Sequence, residues 1–173
     1  MASLLRFLGV RAASRDGAGD TETVRRIAAR LDRLDPAQAK YLAAFAYVLA
    51  RVAQADLRID ESETIAMEKA VRGSAGLSDA EAALVVEIAK SQARLLGGTE
   101  NYVVTREFKS ISTPEQRARL LECLFEVAAA DGTIETVESA EIAAIGEEIG
   151  FTRPEINALR AAYRERLAEF KKR

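Results

Sequence analysis

Six carboxylates stand at matching places in two stretches of this chain, 75 positions apart. Asp131, Glu135 and Glu138 belong to Ala130-Asp131-Gly132-Thr133-Ile134-Glu135-Thr136-Val137-Glu138. Asp56, Asp60 and Glu63 hold the same places in Ala55-Asp56-Leu57-Arg58-Ile59-Asp60-Glu61-Ser62-Glu63. Carboxylates grouped around a turn are the hard oxygen donors that calcium and magnesium take. The second stretch matches positions 5, 6, 7, 8, 9 and 12 of a calcium loop of the EF-hand type. Gly132 would allow the sharp turn, Ile134 would plug the core and Glu138 would chelate. Positions 1 and 3 fall on Val127 and Ala129, which carry no side-chain oxygen, so one turn is half a loop. The first copy is poorer, because Leu57 replaces the glycine where a positive φ would be costly. Two half sites make one if a pseudo-twofold axis brings them together. Asp56, Glu63, Asp131 and Glu138 would then hold one divalent cation, with Asp60 and Glu135 flanking.

A second reading of the same acids needs no ion. Asp60-Glu61-Ser62-Glu63 has the spacing of a capping box, and Glu135 to Glu138 repeats it with a weaker cap. Acids in a first helical turn suit the helix dipole, and Asp131-Gly132 is a common turn pair. Spacing leaves both readings open.

Other chemistries are poorly supplied. The chain has no histidine and one cysteine, which argues against a zinc site and excludes an internal disulfide. There is no glycine-rich phosphate loop, no serine elbow and no nucleophile–base pair, so no enzyme is expected. Cys123 reads as an inert core thiol, with Glu122 and Glu126 close in sequence. Net charge is −2, but residues 1–40 carry +3, residues 41–159 carry −9 and residues 160–173 carry +4. An acidic body repels nucleic acid and attracts cations. The basic ends suit anionic lipid or an acidic partner. Arg164, Arg166, Lys171, Lys172 and Arg173 read as a solvated, fraying helix end.

The elements that must position these acids are helices. Ala and Leu are abundant, aromatics are 6% and no long β-branched run occurs. Residues 1–10 suggest a short amphipathic helix that packs on the body, and Ala12 to Asp20 a linker. A helix is expected from Thr21 or Thr23, and another from the strong start Asp35-Pro36, carrying Leu42, Phe45, Leu49 and Val52. The next runs from Asp60 to about Ser74, with Ile65, Met67 and Val71 as apolar positions. Ser78-Asp79-Ala80-Glu81, Thr113-Pro114-Glu115-Gln116 and Thr152-Arg153-Pro154-Glu155 are capping boxes. A shorter helix from about Thr99 puts Tyr102, Val104, Phe108 and Ile111 in the core. The last helix is expected to carry Leu159, Tyr163 and Leu167. Helix, acidic turn, helix, glycine turn and capped helix thus occur twice. The expected organisation is an all-α bundle. Residues 1–20 form an extension and linker, and 21–173 a single domain of two pseudo-symmetric three-helix repeats, about 36–96 and about 113–168.

Phe125-Glu126-Val127-Ala128-Ala129-Ala130-Asp131-Gly132-Thr133-Ile134, Glu138 and Gly150-Phe151-Thr152-Arg153-Pro154-Glu155 resemble the TerB-like (tellurite resistance protein B) family. That family includes a domain of the membrane-anchored DjlA co-chaperones. The first copy, Ala55-Asp56 through Glu63 and Gly76-Leu77-Ser78, fits its N-terminal half, so the resemblance covers roughly residues 36–166. It implies an all-helical fold, an acidic surface that binds a divalent cation such as calcium or magnesium, and a link to tellurite or other stress resistance. Carried over by position, the acids are Asp56, Asp60, Glu63, Asp131, Glu135 and Glu138. The expected partners are proteins, including membrane-associated ones, and not nucleic acid. The expected location is cytoplasmic, peripheral at the inner face of the membrane. The alternative is a helical adaptor whose acids act only as caps.

Overall fold

The computed structural model describes residues 18–53, 61–93 and 101–171. Among them the chain is all-α. The helices are α1 (Ala18–Leu31), α2 (Pro36–Ala53), α3 (Glu61–Ser74), α4 (Asp79–Ala93), α5 (Asn101–Ile111), α6 (Pro114–Ala128), α7 (Thr136–Ile149) and α8 (Arg153–Ala161). Two single 3-10 turns follow, Arg164–Arg166 and Ala168–Phe170. No helix among the described residues is long and apolar enough to cross a membrane. The proposed helix at residues 1–10 lies outside the described residues.

The bundle is built round α2. Every residue from Tyr41 to Val52 is buried. A helix that is apolar on all sides has to be covered on all sides, and α2 packs against α4, α5, α6 and α7. The stripe of Ala43, Ala44, Ala46 and Ala50 lets those neighbours approach closely. Beyond α2, α3 packs on α6, α5 on α7, and α1 on α4. One aromatic group joins Tyr41, Phe45 and Phe108, with Tyr41 stacked on Phe108 at 5.7 Å.

Helix starts follow the sequence signals. Asp35 Oδ1 accepts the Ala37 amide at 2.9 Å. Glu81 accepts the Ser78 amide at 2.9 Å, Gln116 the Thr113 amide at 2.8 Å and Glu155 the Thr152 amide at 2.7 Å. Each of those amides would otherwise lack a helical partner.

Four expectations need correction. Helix α1 begins at Ala18, so the linker's last three residues are helical; Asp20 and Glu22 then stand near the positive end of its dipole. Tyr102 is 63% exposed, since α5 turns Val104 and Phe108 to the core instead. Ile65 is 64% exposed, while Met67, Ala70 and Val71 are buried from the same helix. The last helix stops at Ala161, so it does not carry Tyr163 and Leu167. Leu167 lies extended and is 2% exposed.

Candidate functional site

The second acidic turn joins α6 to α7. Helix α6 ends in tightening bonds, Ala130 N to Val127 O at 3.1 Å and Gly132 N to Ala129 O at 3.0 Å. Gly132 then takes φ +96, and nothing lies within 4 Å of where a Cβ would stand. Its glycine is required by the backbone turn, not by crowding. The Thr133 amide donates to Asp131 Oδ1 at 2.8 Å, which closes the turn through a side chain. Ile134 is fully buried and is the expected core plug. At the start of α7 the Glu135 amide donates to Glu138 Oε2 at 2.8 Å, the backward half of a capping box. The Asp131 and Glu135 side chains remain exposed.

A C-terminal strap lies across this turn. The Ile134 amide donates to Arg166 O at 2.7 Å, and the Ala168 amide donates to Ile134 O at 2.9 Å. These make a one-residue parallel bridge between Ile134 and Leu167. Arg166 Nη1 donates to Ala129 O at 2.9 Å, and Lys171 Nζ donates to Gly132 O at 2.8 Å and to the Thr133 hydroxyl. Arg164 lies over the Phe170 ring, 4.8 Å from its centre. Arg164, Arg166 and Lys171 are therefore not the charges of a fraying helix end. The apolar residues give the reason. Leaving the helix lets Leu167 enter the core while Tyr163 stacks on Phe125 at 5.3 Å.

The structure brings Asp131, Glu135 and Glu138 to one turn. Asp56 and Asp60 lie outside the described residues, and of Glu63 only its place in α3 is described. Among the described residues no group of three or more acidic, histidine or cysteine side chains is placed to hold a metal. Calcium takes about six to eight oxygens. The second turn spends Asp131 Oδ1 on an amide and Gly132 O on Lys171, so it falls short of that number by itself.

Two charged features had weaker sequence signals. Arg51 is buried in α2 and pairs with Glu141 at 2.7 Å and Glu148 at 2.8 Å, both on α7. The Thr105 hydroxyl of α5 also donates to Glu148. Burial opposes the charge on Arg51, but the bonds from Glu148 and Glu141 overcome it and raise its pKa. The signal was present: Glu141 and Glu148 are seven apart, hence on one face of a helix, and Arg51 interrupts an apolar run. The second feature is the strap, whose signal is only Leu167 within a basic segment. Cys123 is fully buried, and burial first, then the charge of Glu126, pushes its thiol pKa up. It is an inert core thiol.

A model of the family described as tellurite resistance protein TerB matches residues 42–161. That span runs from α2 into the last turn of α8 and includes both acidic stretches. No curated protein and no solved structure matches the chain.

Proposed function

The chain belongs to the TerB family of tellurite resistance proteins, and from that premise we propose that it is a non-catalytic helical module of tellurite or other stress resistance, whose two acidic turns share one divalent cation. Asp131, Glu135 and Glu138 supply one half of the ligands. Asp56, Asp60 and Glu63 supply the other half, with the two units related by a pseudo-twofold axis. The cation is hard, calcium or magnesium, because every side-chain donor is an oxygen. The observation that carries this reading is the second turn itself. Gly132 at φ +96 and buried Ile134 support it as the turn and core plug that a calcium loop needs, with Asp131 and Glu138 on either side of them. At Asp131 capping and coordination use different oxygens, since it bonds Thr133 through Oδ1 and leaves Oδ2. The absence of histidine and the burial of Cys123 support a non-catalytic role. We place the module in the cytoplasm, working with protein partners that include membrane-associated ones.

Thermal or denaturant unfolding with added calcium or magnesium tests the cation. A ligand bound only by the folded state adds about 2.7 kcal/mol at a hundredfold excess over its Kd. Asp131→Asn is the informative variant, because asparagine keeps the oxygen that accepts the Thr133 amide and loses the charge. We expect the cation to raise wild-type stability and to leave Asp131→Asn unmoved. Equal responses, or none at millimolar cation, leave the acids as caps.

A second reading has its own support. Lys171 and Arg166 already serve the turn's carbonyls, as a protein that needs no ion would arrange. The module would then be an adaptor, and Asp131→Asn with Glu138→Gln would leave its partner binding intact. Tellurite tolerance of cells carrying that double variant separates the two readings.

A further inference from the structure

A half-open cavity of about 220 Å³ lies where the end of α3 meets the starts of α4 and α6. Its charged walls are Glu81, Glu115 and Arg119; Tyr41 and Gln38 close its α2 side. Four of these groups have an unused capacity.

Tyr41 is the first. Its ring is 5% exposed and packed between Phe45 and Phe108, yet its hydroxyl has no hydrogen-bond partner among the described residues. No fully enclosed side-chain oxygen among them lacks a partner, so this hydroxyl must reach solvent. The cavity that Tyr41 lines is where it does so. Burial, eased by the Arg119 charge, raises its pKa to about 12, so it stays protonated and able to donate.

Arg119 and Glu115 are the second and third. They stand one helical turn apart on α6, the arrangement in which a carboxylate and a guanidinium ordinarily pair. They form no ion pair here. Instead one guanidinium nitrogen of Arg119 points end-on at Gly76, so close that a Cβ at that position would sit 1.7 Å from Nη1. Gly76 has φ +66, so a side chain there is disfavoured by the backbone as well. Glu115 stands exposed at the rim; its carboxylate takes its own amide and the Thr113 hydroxyl, which lower its pKa, and it has no ion-pair partner among the described residues. Gln38 is the fourth: its amide nitrogen donates to Glu81 Oε1 at 2.7 Å, leaving its carbonyl oxygen to face a donor. Glu81 itself is spent, since Oε2 takes the amide and hydroxyl of Ser78.

The charge pattern selects the occupant. A simple anion would meet two carboxylates, and a simple cation would meet the guanidinium. A molecule with both charges close together satisfies both sides. We propose that this cavity binds a free α-amino acid with a small apolar side chain. Its carboxylate is taken by Arg119 and the Tyr41 hydroxyl. Its ammonium is taken by Glu115 and the Gln38 carbonyl. Ala75 and Leu77 give the side chain an apolar wall. The volume is below the roughly 300–1,000 Å³ of sites for drug-sized ligands, and suits a metabolite of that size.

Ligand-observed NMR and calorimetry on the full chain would test this with L-alanine, L-valine and L-leucine. Their N-acetyl and carboxamide derivatives each lack one charge. We expect at least one amino acid to bind with Kd of about 1 mM or tighter, and both derivatives to bind at least about tenfold more weakly. Arg119→Gln and Glu115→Gln should each cost about tenfold. Tyr41→Phe should weaken binding without lowering Tm, because no protein partner loses a bond. Absence of binding by all three amino acids overturns the proposal. So does binding of the carboxamide or N-acetyl form as tight as the parent, which would mean a single-charge site. Affinity unchanged in both Arg119→Gln and Glu115→Gln would place the site elsewhere and overturn it equally. None of these outcomes depends on the cation proposed for the acidic turns.

Discussion

Arg51 is the residue whose replacement should be felt most for its charge. It holds Glu141 and Glu148 to α2 from a side chain that is 6% exposed. Removing one partner of a buried pair costs about 3–5 kcal/mol. Glu141 and Glu148 are 31% and 22% exposed, so solvent recovers part of that. Arg51→Met should lower unfolding stability by about 2–3 kcal/mol in denaturant titrations. Restoring packing by also changing Glu141 and Glu148 to Leu should recover much of it. Gly132→Ala is the matching test at the turn. It meets no clash, so the loss should be only the cost of a left-handed alanine, roughly 1 kcal/mol. Residue types alone identified Gly132 as the turn and Ile134 as the core plug, and the spacing of Glu135 and Glu138 as a cap. They left Arg51 aside because nothing local says which helix will face it.

At the scale of the element, the C-terminal strap is the part most open to test. Its anchor is Leu167, and its backbone hydrogen bonds to the body are the pair at Ile134. Leu167→Ala should destabilise the protein by about 2–4 kcal/mol. It should also speed amide exchange at Ile134 and Ala168, the two amides of the bridge, more than in α2. Equal protection in wild type and variant would mean that the strap does not depend on that side chain. Its geometry was illegible beforehand. Leu159, Tyr163 and Leu167 recur at helical steps, and nothing in the segment forbids helix to its end. The turn at Ile134 offers an unpaired amide and carbonyl, and a core slot behind them. The helix is given up to fill them. Helix starts behaved oppositely, because a capping box is closed within four residues and needs no distant partner.

For the whole molecule, the capping carboxylates tie stability to pH. The Ser78 amide and hydroxyl hold Glu81 below its ordinary 4.5, and the Thr152 amide and hydroxyl do the same for Glu155. A carboxylate depressed in the folded state stabilises fully above its unfolded pKa. That contribution is lost as pH falls through the folded value. Denaturant midpoints should therefore be flat near neutrality and fall below about pH 4.5. Glu81→Gln with Glu155→Gln should flatten the acid side of that curve. A fall unchanged by the double variant would assign it to other carboxylates.

The all-helical class, most helix starts, the buried face of α2 and the second acidic turn were written in the order of residues. Each depends on interactions within about one or two helical turns, which periodicity and capping chemistry encode directly. The family could be recognised for the same reason, since its motifs are short local segments. Three features were decided by tertiary structure: the ion triad of Arg51, the C-terminal strap and the unpaired Tyr41 hydroxyl beside Arg119. Each is decided by which surfaces meet after the helices have packed. A buried charge finds its partners, and a leucine leaves its helix, only when a distant segment supplies the bond or the slot.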